Sequence, residues 1–184
     1  MKRGDHLWEV GLDSAEGRIY DTLVVRADPE RDRALFDLRA ELESALPTEL
    51  YVVPPPTWLH LTLSGVPQEE RFNPTGALTR AVVKLDFRTA TAYSLRIEPS
   101  EQEPLAQLAA GFGRRGSYGP RYGVTVAYAL ADIGVDALAG HAYTLQDLIQ
   151  RYRPTLDAVN IEHRRAPADG SFTFRTIASW VATS

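Results

Sequence analysis

Cysteine is absent from the 184 residues of this chain. Its absence excludes disulfides, a thiolate nucleophile and zinc sites with cysteine ligands, and it suits a reducing compartment. The sequence also lacks an apolar run as long as a membrane span, and the charged segment 1–13 does not have the pattern of a signal peptide. We therefore expect a cytoplasmic chain with no membrane partner.

An excess of positive charge is missing as well. The formal net charge is −4 and the pI about 5.6, so we expect no broad basic surface for duplex nucleic acid. The four histidines are scattered without the spacing of metal ligands, so no metal site and no cofactor are predicted. The length, with 44% hydrophobic and 24% charged residues, fits one globular domain over 1–184.

Periodicity along the chain predicts an α+β fold. Strands are predicted at 7–12, 20–26, 58–66, within 87–99, at 122–130, and as a closing hairpin of 156–164 and 172–182 turned at 168–170. Helices are predicted from Asp28-Pro29 to Ala45, at 78–85, from Pro104 to Phe112 and from Leu138 to Tyr152. Because strand, helix, strand and helix recur in each half, we expect two similar lobes, about 1–90 and 91–184.

The stretch 58–64 alternates strictly between leucines and other residues. This period of two predicts a strand whose leucines face the core, while Trp58, His60, Thr62 and Ser64 share the opposite face. His60 and Thr62 would then lie side by side, and this pair can transfer a proton and hold a phosphate or carbonyl oxygen. The alternative is a half-exposed strand that carries histidine and threonine by chance.

The pattern at residues 59–63, hydrophobic-His-hydrophobic-Thr-hydrophobic, resembles the first motif of the two-histidine (2H) phosphoesterases. That superfamily includes bacterial 2′-5′ RNA ligase-like proteins and RNA 2′,3′-cyclic phosphodiesterases. Its members carry two such motifs, one on each of two pseudo-symmetric lobes. The resemblance covers roughly residues 20–182 and implies lobes of antiparallel sheet, with helices outside and a central cleft between the motifs.

The second motif strand matches the family only in part. Thr125 stands where the second threonine belongs, whereas Gly123 stands where the second histidine belongs. In the family, one imidazole deprotonates the nucleophile and the other protonates the leaving oxygen, while the threonines bind phosphate oxygens without a metal. Losing one positioned acid or base costs about 10²–10⁴ in rate. Gly123→His should restore the imidazole unless the glycine needs a positive φ angle.

The resemblance implies roles for four residues of the cleft. His60 is predicted to act as base or acid, and Thr62 and Thr125 to bind phosphate oxygens. Arg121 could add a guanidinium fork to the phosphate, although an arginine beside a loop is often only solvated.

Aromatic residues and a further histidine are weaker candidates for the cleft. Trp58 could stack on a base or cover the edge of the core. Tyr122 would face the core in a regular strand, but a bulge at Gly123 would turn it into the cleft as a substitute acid and substrate contact. His163 could reach the site from the closing hairpin, and the glycine-rich loop with Arg114 could at most cover it.

Three functions remain open from the sequence. The first is metal-independent hydrolysis of a small phosphodiester, such as a 2′,3′-cyclic RNA end or a cyclic nucleotide. The second is a binding module that holds a nucleotide or RNA terminus in the same cleft without turnover. The third is a structural domain whose His-x-Thr pattern is accidental. No oligomeric state is predicted.

Overall fold

The computed structural model describes residues 20–67, 73–90, 94–113, 122–165 and 172–184. Statements about structure refer to these ranges. Several sequence predictions lie outside them, namely the strand at 7–12, His6, the loop with Arg114 and Arg115, Arg121, and the turn at 168–170.

The described ranges contain nine strands and three α-helices. The strands are β1 (Tyr20–Arg26), β2 (Tyr51–Val52), β3 (His60–Pro67), β4 (Val82–Ala90), β5 (Ser94–Pro99), β6 (Val124–Ala129), β7 (Thr155–Asp157), β8 (Asn160–Arg165) and β9 (Arg175–Val181). The helices are α1 (Arg33–Ala45), α2 (Glu103–Ala110) and α3 (Val135–Tyr152), and a 3₁₀ turn spans Pro56–Trp58.

The strands form one curled antiparallel sheet in the order β7-β4-β5-β6-β3-β1-β8-β9, with β2 beside β6. Because the sheet curls, the segment just before β4 forms hydrogen bonds with a residue shortly before β8 and with a residue shortly after β9. Ala158 N donates to Ala81 O at 2.7 Å, and Arg80 N donates to Thr183 O at 2.9 Å. The sheet is therefore a half-barrel with an inner and an outer face.

The outer face of the sheet packs on the helices. Its buried residues come from alternate strand positions, while the leucines of α1 recur at helical spacing and bury one stripe of that helix. Fully buried members of this core are Leu23, Val25, Leu35, Leu38, Leu42, Leu61, Leu95, Ile97, Val124, Val126, Leu145 and Ile161. The strand residues between these buried positions lie on the other face of the sheet. They include the polar residues of both motifs.

The sheet divides into two halves that meet at the motif strands. One half contains β7, β4, β5 and β6, and the other contains β3, β1, β8 and β9. In the described ladder, β3 and β6 pair only at Leu61 and Val124. The first half comes from the middle of the chain, whereas the second combines strands from both ends, and the predicted two-lobed α+β fold is confirmed.

One predicted helix is wrong. Residues 78–81 form no helix and residues 82–85 begin β4, where Val83 and Leu85 are buried and Val82 is 61% exposed. The apolar residues there fit a helical and a two-residue period equally well. Pairing with β5 and β7 decides in favour of the strand. In contrast, β1, α2, α3 and the closing β8–β9 hairpin lie where the sequence predicted such elements. The first helix, α1, ends at Ala45 as predicted, but it begins at Arg33 and not at Asp28-Pro29.

Candidate functional site

The two motif strands place three predicted site residues on one face of the sheet. With Leu61 opposite Val124 in antiparallel pairing, His60 lies beside Thr125 and Thr62 beside Gly123. Neighbouring residues on paired strands project to the same side, away from the core that holds Leu61 and Val124. The structure thus brings His60, Thr62 and Thr125 together, while their chemical roles remain predictions.

His60 is held as a neutral imidazole. Its Nδ1 bonds to the backbone carbonyl of Trp58, and a carbonyl only accepts, so Nδ1 carries the proton and Nε2 the lone pair. Burial lowers the pKa of His60 to about 4; the charge of Arg164 lowers it too, and the Trp58 carbonyl and Glu162 oppose them. The half-buried ring therefore offers a basic nitrogen at neutral pH.

Aromatic rings enclose this imidazole. Trp58 lies in the 3₁₀ turn rather than in β3, because the prolines before it do not continue a strand. Its ring is 4% exposed and stacks on Phe174 with 3.9 Å between centroids. Phe174 also meets His60 edge to face at 5.1 Å. Trp58 is therefore a packed residue that supports the site. Phe174 covers one face of its indole, so that face is not open to a nucleobase.

A guanidinium occupies the place of the missing second imidazole. A Cβ atom built on Gly123 would lie 2.2 Å from Nε of Arg96 and 2.9 Å from its Cζ and Nη2. Among the described glycines only Gly113 has a positive φ, so the backbone at Gly123 meets the condition set for Gly123→His. The structure adds a second condition, since the flexible side chain of Arg96 must move to make room for the new Cβ.

A β-bulge changes which residues of β6 reach this face. Arg96 pairs with Thr125 and Leu95 with Ala127, so Val126 is the extra residue. The alternation restarts after it, and Tyr128 comes to lie on the side of Thr125 and Arg96. The alternative predicted from the sequence was a bulge at Gly123, which does not bring Tyr128 to this face.

Tyr122, which that other bulge would have exposed, belongs to the hydrophobic core. It is 4% exposed, and its backbone N–H donates to Gln102 Oε1 at 2.8 Å. The prediction of Tyr122 as a substrate contact is therefore wrong. A regular strand would bury Tyr122 in the same way, since it lies on the face of Val124.

Tyr128 connects the two motifs. Its phenol oxygen accepts a hydrogen bond from Trp58 Nε1 at 3.2 Å. Burial raises the pKa of Tyr128, opposed by bonding with Trp58 and Thr125 and by the charge of Arg96. The phenol is therefore protonated at neutral pH. Since its oxygen accepts from the indole, its own O–H can donate to another group.

A charged cluster flanks His60 on the other side. Arg26 pairs with His60 across β1 and β3, and its Nε lies 2.8 Å from Glu162 Oε1. Arg164 Nε donates to Glu162 Oε2 at 2.6 Å, and Thr176 Oγ1 donates to the same oxygen at 3.2 Å. Sequence reasoning missed this cluster, although alternation in the predicted hairpin would have placed Glu162 and Arg164 on one face.

The other predicted candidates do not join the site. His163 is 3% exposed and pairs with Leu23 on the core side, where its Nε2 lies 2.9 Å from Asp21 Oδ2. His141 Nδ1 lies 3.2 Å from the hydroxyl of Tyr51. Within the described ranges, no group of three His, Asp or Glu side chains could hold a metal ion. None of the helices there has the length and apolar character to cross a membrane.

The half-barrel with two central motif strands is a fold known from solved phosphoesterases. A crystal structure of a phosphoesterase has a TM-score of 0.62 and 14% identity, covering 90% of this chain and 98% of that one. E. coli LigT complexed with phosphate has a TM-score of 0.60 and 13% identity over 90% and 98% of the two chains. LigT complexed with 3′-AMP has a TM-score of 0.56 and 15% identity over 90% and 99%.

Sequence comparison alone does not find these similarities. No family model and no curated protein matches the chain. At identities of 13–15%, the structural matches show a common fold. The fold that the resemblance to the 2H phosphoesterases implied is therefore confirmed.

Proposed function

We propose that the face around His60 and Arg96 binds the phosphate of a small phosphodiester, a cyclic nucleotide or an RNA end, and hydrolyses it without a metal. The observation that carries the proposal is the guanidinium of Arg96 over Gly123, beside a neutral imidazole and two threonines on adjoining strands. Proteins of this fold support it, since E. coli LigT has been solved with phosphate, 3′-AMP, ATP and NADP+.

Arg96 changes what the second half of the site can do. A guanidinium stays charged throughout the physiological pH range and presents several N–H donors to phosphate oxygens. It stabilises negative charge that develops on the phosphoryl group. It does not release a proton at these pH values, so the acid that the family's second imidazole provides must come from elsewhere or be missing.

The geometry supports one division of labour. His60 Nε2 takes a proton from a water molecule whose oxygen forms the new bond to phosphorus. The bond from phosphorus to the ribose oxygen breaks, and that oxygen receives a proton from Tyr128, which is later reprotonated from solvent. Arg96, Thr62 and Thr125 hold the phosphate oxygens. In this scheme burial weakens both groups, since it lowers the pKa of His60 to about 4 and raises the pKa of Tyr128.

Binding without turnover is the second candidate function. Arg96 itself favours it, because a fixed cation in place of an acid keeps phosphate affinity while removing a step that needs a proton. In that case the protein holds a nucleotide or RNA terminus in the same cleft. The two functions share the ligand and differ only in whether it is converted.

Titration calorimetry with a 2′,3′-cyclic nucleotide, and ³¹P NMR of the same mixture, test both functions. Wild-type protein should bind the ligand, and slow appearance of a monoester would establish hydrolysis. Arg96→Gln should weaken binding about 10-fold or more, the usual worth of a charged hydrogen bond. Arg33→Gln is the control, since that side chain is 83% exposed on α1. Absence of binding to wild type would refute both candidates.

A further inference from the structure

Three flat groups form a stack beside the imidazole of His60. The ring of Phe174 lies nearly parallel to the indole of Trp58, with 3.9 Å between centroids and 13° between planes. The guanidinium of Arg164 lies over the same phenyl ring, with its Cζ 4.8 Å from the centroid. Since the indole covers one face of the ring, the guanidinium covers the other. We propose that Phe174, in the middle of this stack, positions the base His60 and the acid Tyr128.

The inference rests on the proposed function for the reaction itself, and it adds a residue that acts through its neighbours. Phe174 comes from the closing hairpin, just before β9, and reaches the motif strands only in the folded protein. Its contacts are with the side chains that hold or form the proton-transfer groups.

The outer member of the stack, Arg164, is itself held in place. It is 4% exposed, and its Nε donates to Glu162 Oε2 at 2.6 Å. The other oxygen of Glu162 lies 2.8 Å from Arg26 Nε, so arginines from two strands hold this carboxylate. A guanidinium over an aromatic face is attracted by the negative charge of that face. Phe174 is therefore held on both faces by anchored groups.

The stack restricts the orientation of the imidazole. Phe174 meets His60 at 5.1 Å and 87°, and Trp58 meets it at 5.7 Å and 75°. The last torsion of histidine has two broad orientations, which exchange Nδ1 with Cδ2. Only one of them lets Nδ1 donate to the Trp58 carbonyl and leaves Nε2 as the base. Two rings packed against the imidazole hinder rotation to the other orientation.

The same stack fixes the position of the acid relative to the base. Trp58 accepts a bond from His60 Nδ1 through its carbonyl, and its Nε1 donates to the Tyr128 oxygen at 3.2 Å. One residue thus connects two groups that lie on different strands. Because Phe174 covers a face of the indole, loss of the phenyl ring should let the indole shift, and both proton-transfer groups with it.

NMR of the ligand-free protein tests the inference without any turnover. The ¹⁵N signals of the His60 ring, assigned by their loss in His60→Gln, should show one tautomer with the proton on Nδ1. Phe174→Leu keeps apolar volume and removes the flat ring, so its His60 signals should move toward those of two exchanging tautomers. Phe174→Tyr keeps the ring and should retain the wild-type signals. Phe174→Met takes the place of the leucine variant if that protein does not fold.

The matched control is Phe87→Leu, the same substitution at another half-buried phenylalanine, on β4. It should leave the His60 signals and the rate unchanged. On a 2′,3′-cyclic nucleotide, Phe174→Leu should lower kcat about 10-fold or more, since misplaced reacting groups cost rate. KM should change little, because Arg96 still holds the phosphate. Phe174→Tyr should recover most of the loss in kcat.

Unchanged His60 signals in Phe174→Leu would overturn the inference, and so would an equal change in Phe87→Leu. An equal loss of kcat in the leucine and tyrosine variants of Phe174 would overturn it as well, because the flat ring would then not matter. If wild-type protein shows no turnover, the proposed hydrolysis fails, while the NMR comparison still decides whether Phe174 positions His60.

Discussion

The two motif strands reach one face of the sheet with different chemistry. β3 carries its own imidazole at His60, whereas β6 has Gly123 at the matching position and receives the guanidinium of Arg96 from β5. The charge of His60 can change with pH, while that of Arg96 cannot. At these two matching positions, therefore, His60 can exchange a proton and Arg96 can only hold a charge.

A second comparison concerns the bulges of the two motif strands. Each motif strand has a bulge directly after its threonine, at Leu63 in β3 and at Val126 in β6. The bulge at Leu63 moves Ser64 to the core side, which corrects its predicted orientation. Three residues after each threonine, the same face carries Gly65 in β3 and Tyr128 in β6.

The half without a histidine thus carries a tyrosine on the same face, beyond the bulge in β6. The guanidinium of Arg96 reaches the site from the adjacent strand, and the phenol of Tyr128 reaches it from further along the same strand. Thr125 keeps its position in β6 in both cases. The following experiments test whether the two halves of the site divide binding and proton transfer as this comparison implies.

Removing the imidazole should have the largest effect. His60→Ala should lower hydrolysis of a 2′,3′-cyclic nucleotide by about 10²–10⁴, because it removes the positioned base. Phosphate affinity should change little, since Arg96 carries the charge. Initial rates by ³¹P NMR and calorimetric affinities measure the two quantities separately. An equal fall in both would place His60 in binding and leave the base unassigned.

Placing a histidine on both motif strands should raise the rate of hydrolysis. Gly123→His alone should fold but give no gain, because its Cβ would lie 2.2 Å from Arg96 Nε and the displaced guanidinium still competes with the imidazole for the same space. Gly123→His with Arg96→Ala clears that space and should increase hydrolysis about 10²-fold by restoring an acid–base group. Thermal unfolding and initial rates of both proteins measure this. A gain in the single variant would show that Arg96 moves aside at little cost.

Two substrates with different leaving groups can show whether Tyr128 acts as the general acid. Tyr128→Phe should slow hydrolysis of a 2′,3′-cyclic nucleotide by about 10²-fold, the lower end for general acids. A nitrophenyl phosphodiester should be nearly unaffected, because its leaving group needs no proton.

Trp58→Phe is the control for Tyr128, since it removes the same 3.2 Å indole–phenol bond and keeps the phenol. Its rates on the two substrates should keep the wild-type ratio. A parallel loss on both substrates in Tyr128→Phe would mean that the hydroxyl supports the structure of the site and does not transfer the proton.

The pH dependence of kcat/KM should show a smaller effect, and it tests the half of the site that carries His60. His60 acts as base only when neutral, and with a pKa lowered to about 4 it is neutral throughout the range from pH 5 to 8. The acid limb of kcat/KM should therefore fall as the pH drops through about 4 instead of through 6.5, the ordinary histidine value. A limb near pH 6.5 would show that His60 is solvated in the working protein.

Chelation should have no effect. Within the described residues no carboxylate and imidazole cluster could hold a metal ion, and the scheme uses Arg96 as its cation. Turnover with and without a chelator, followed by addition of single divalent ions, measures this. Loss of activity with a chelator and its recovery with one ion would contradict the metal-independent scheme.

Local pattern predicted the parts of this site that depend on neighbours along the chain. The alternation at 59–63 is enough to place Leu61 in the core and His60 with Thr62 on the other face, since successive strand residues point to opposite sides. The helical spacing of the leucines in α1 predicted that helix in the same way. The ambiguous period at 78–85 was the exception, and it depended on strand partners.

The tertiary structure decided the rest of the site. Arg96 lies over Gly123 only because β5 pairs with β6 in one particular register, and no local pattern encodes that register. Tyr128 reaches the open face only because an extra residue, Val126, interrupts the alternation that the sequence shows. Side-chain direction within a strand is a property of its backbone, whereas register and bulges are set by packing against strands that are distant in the chain.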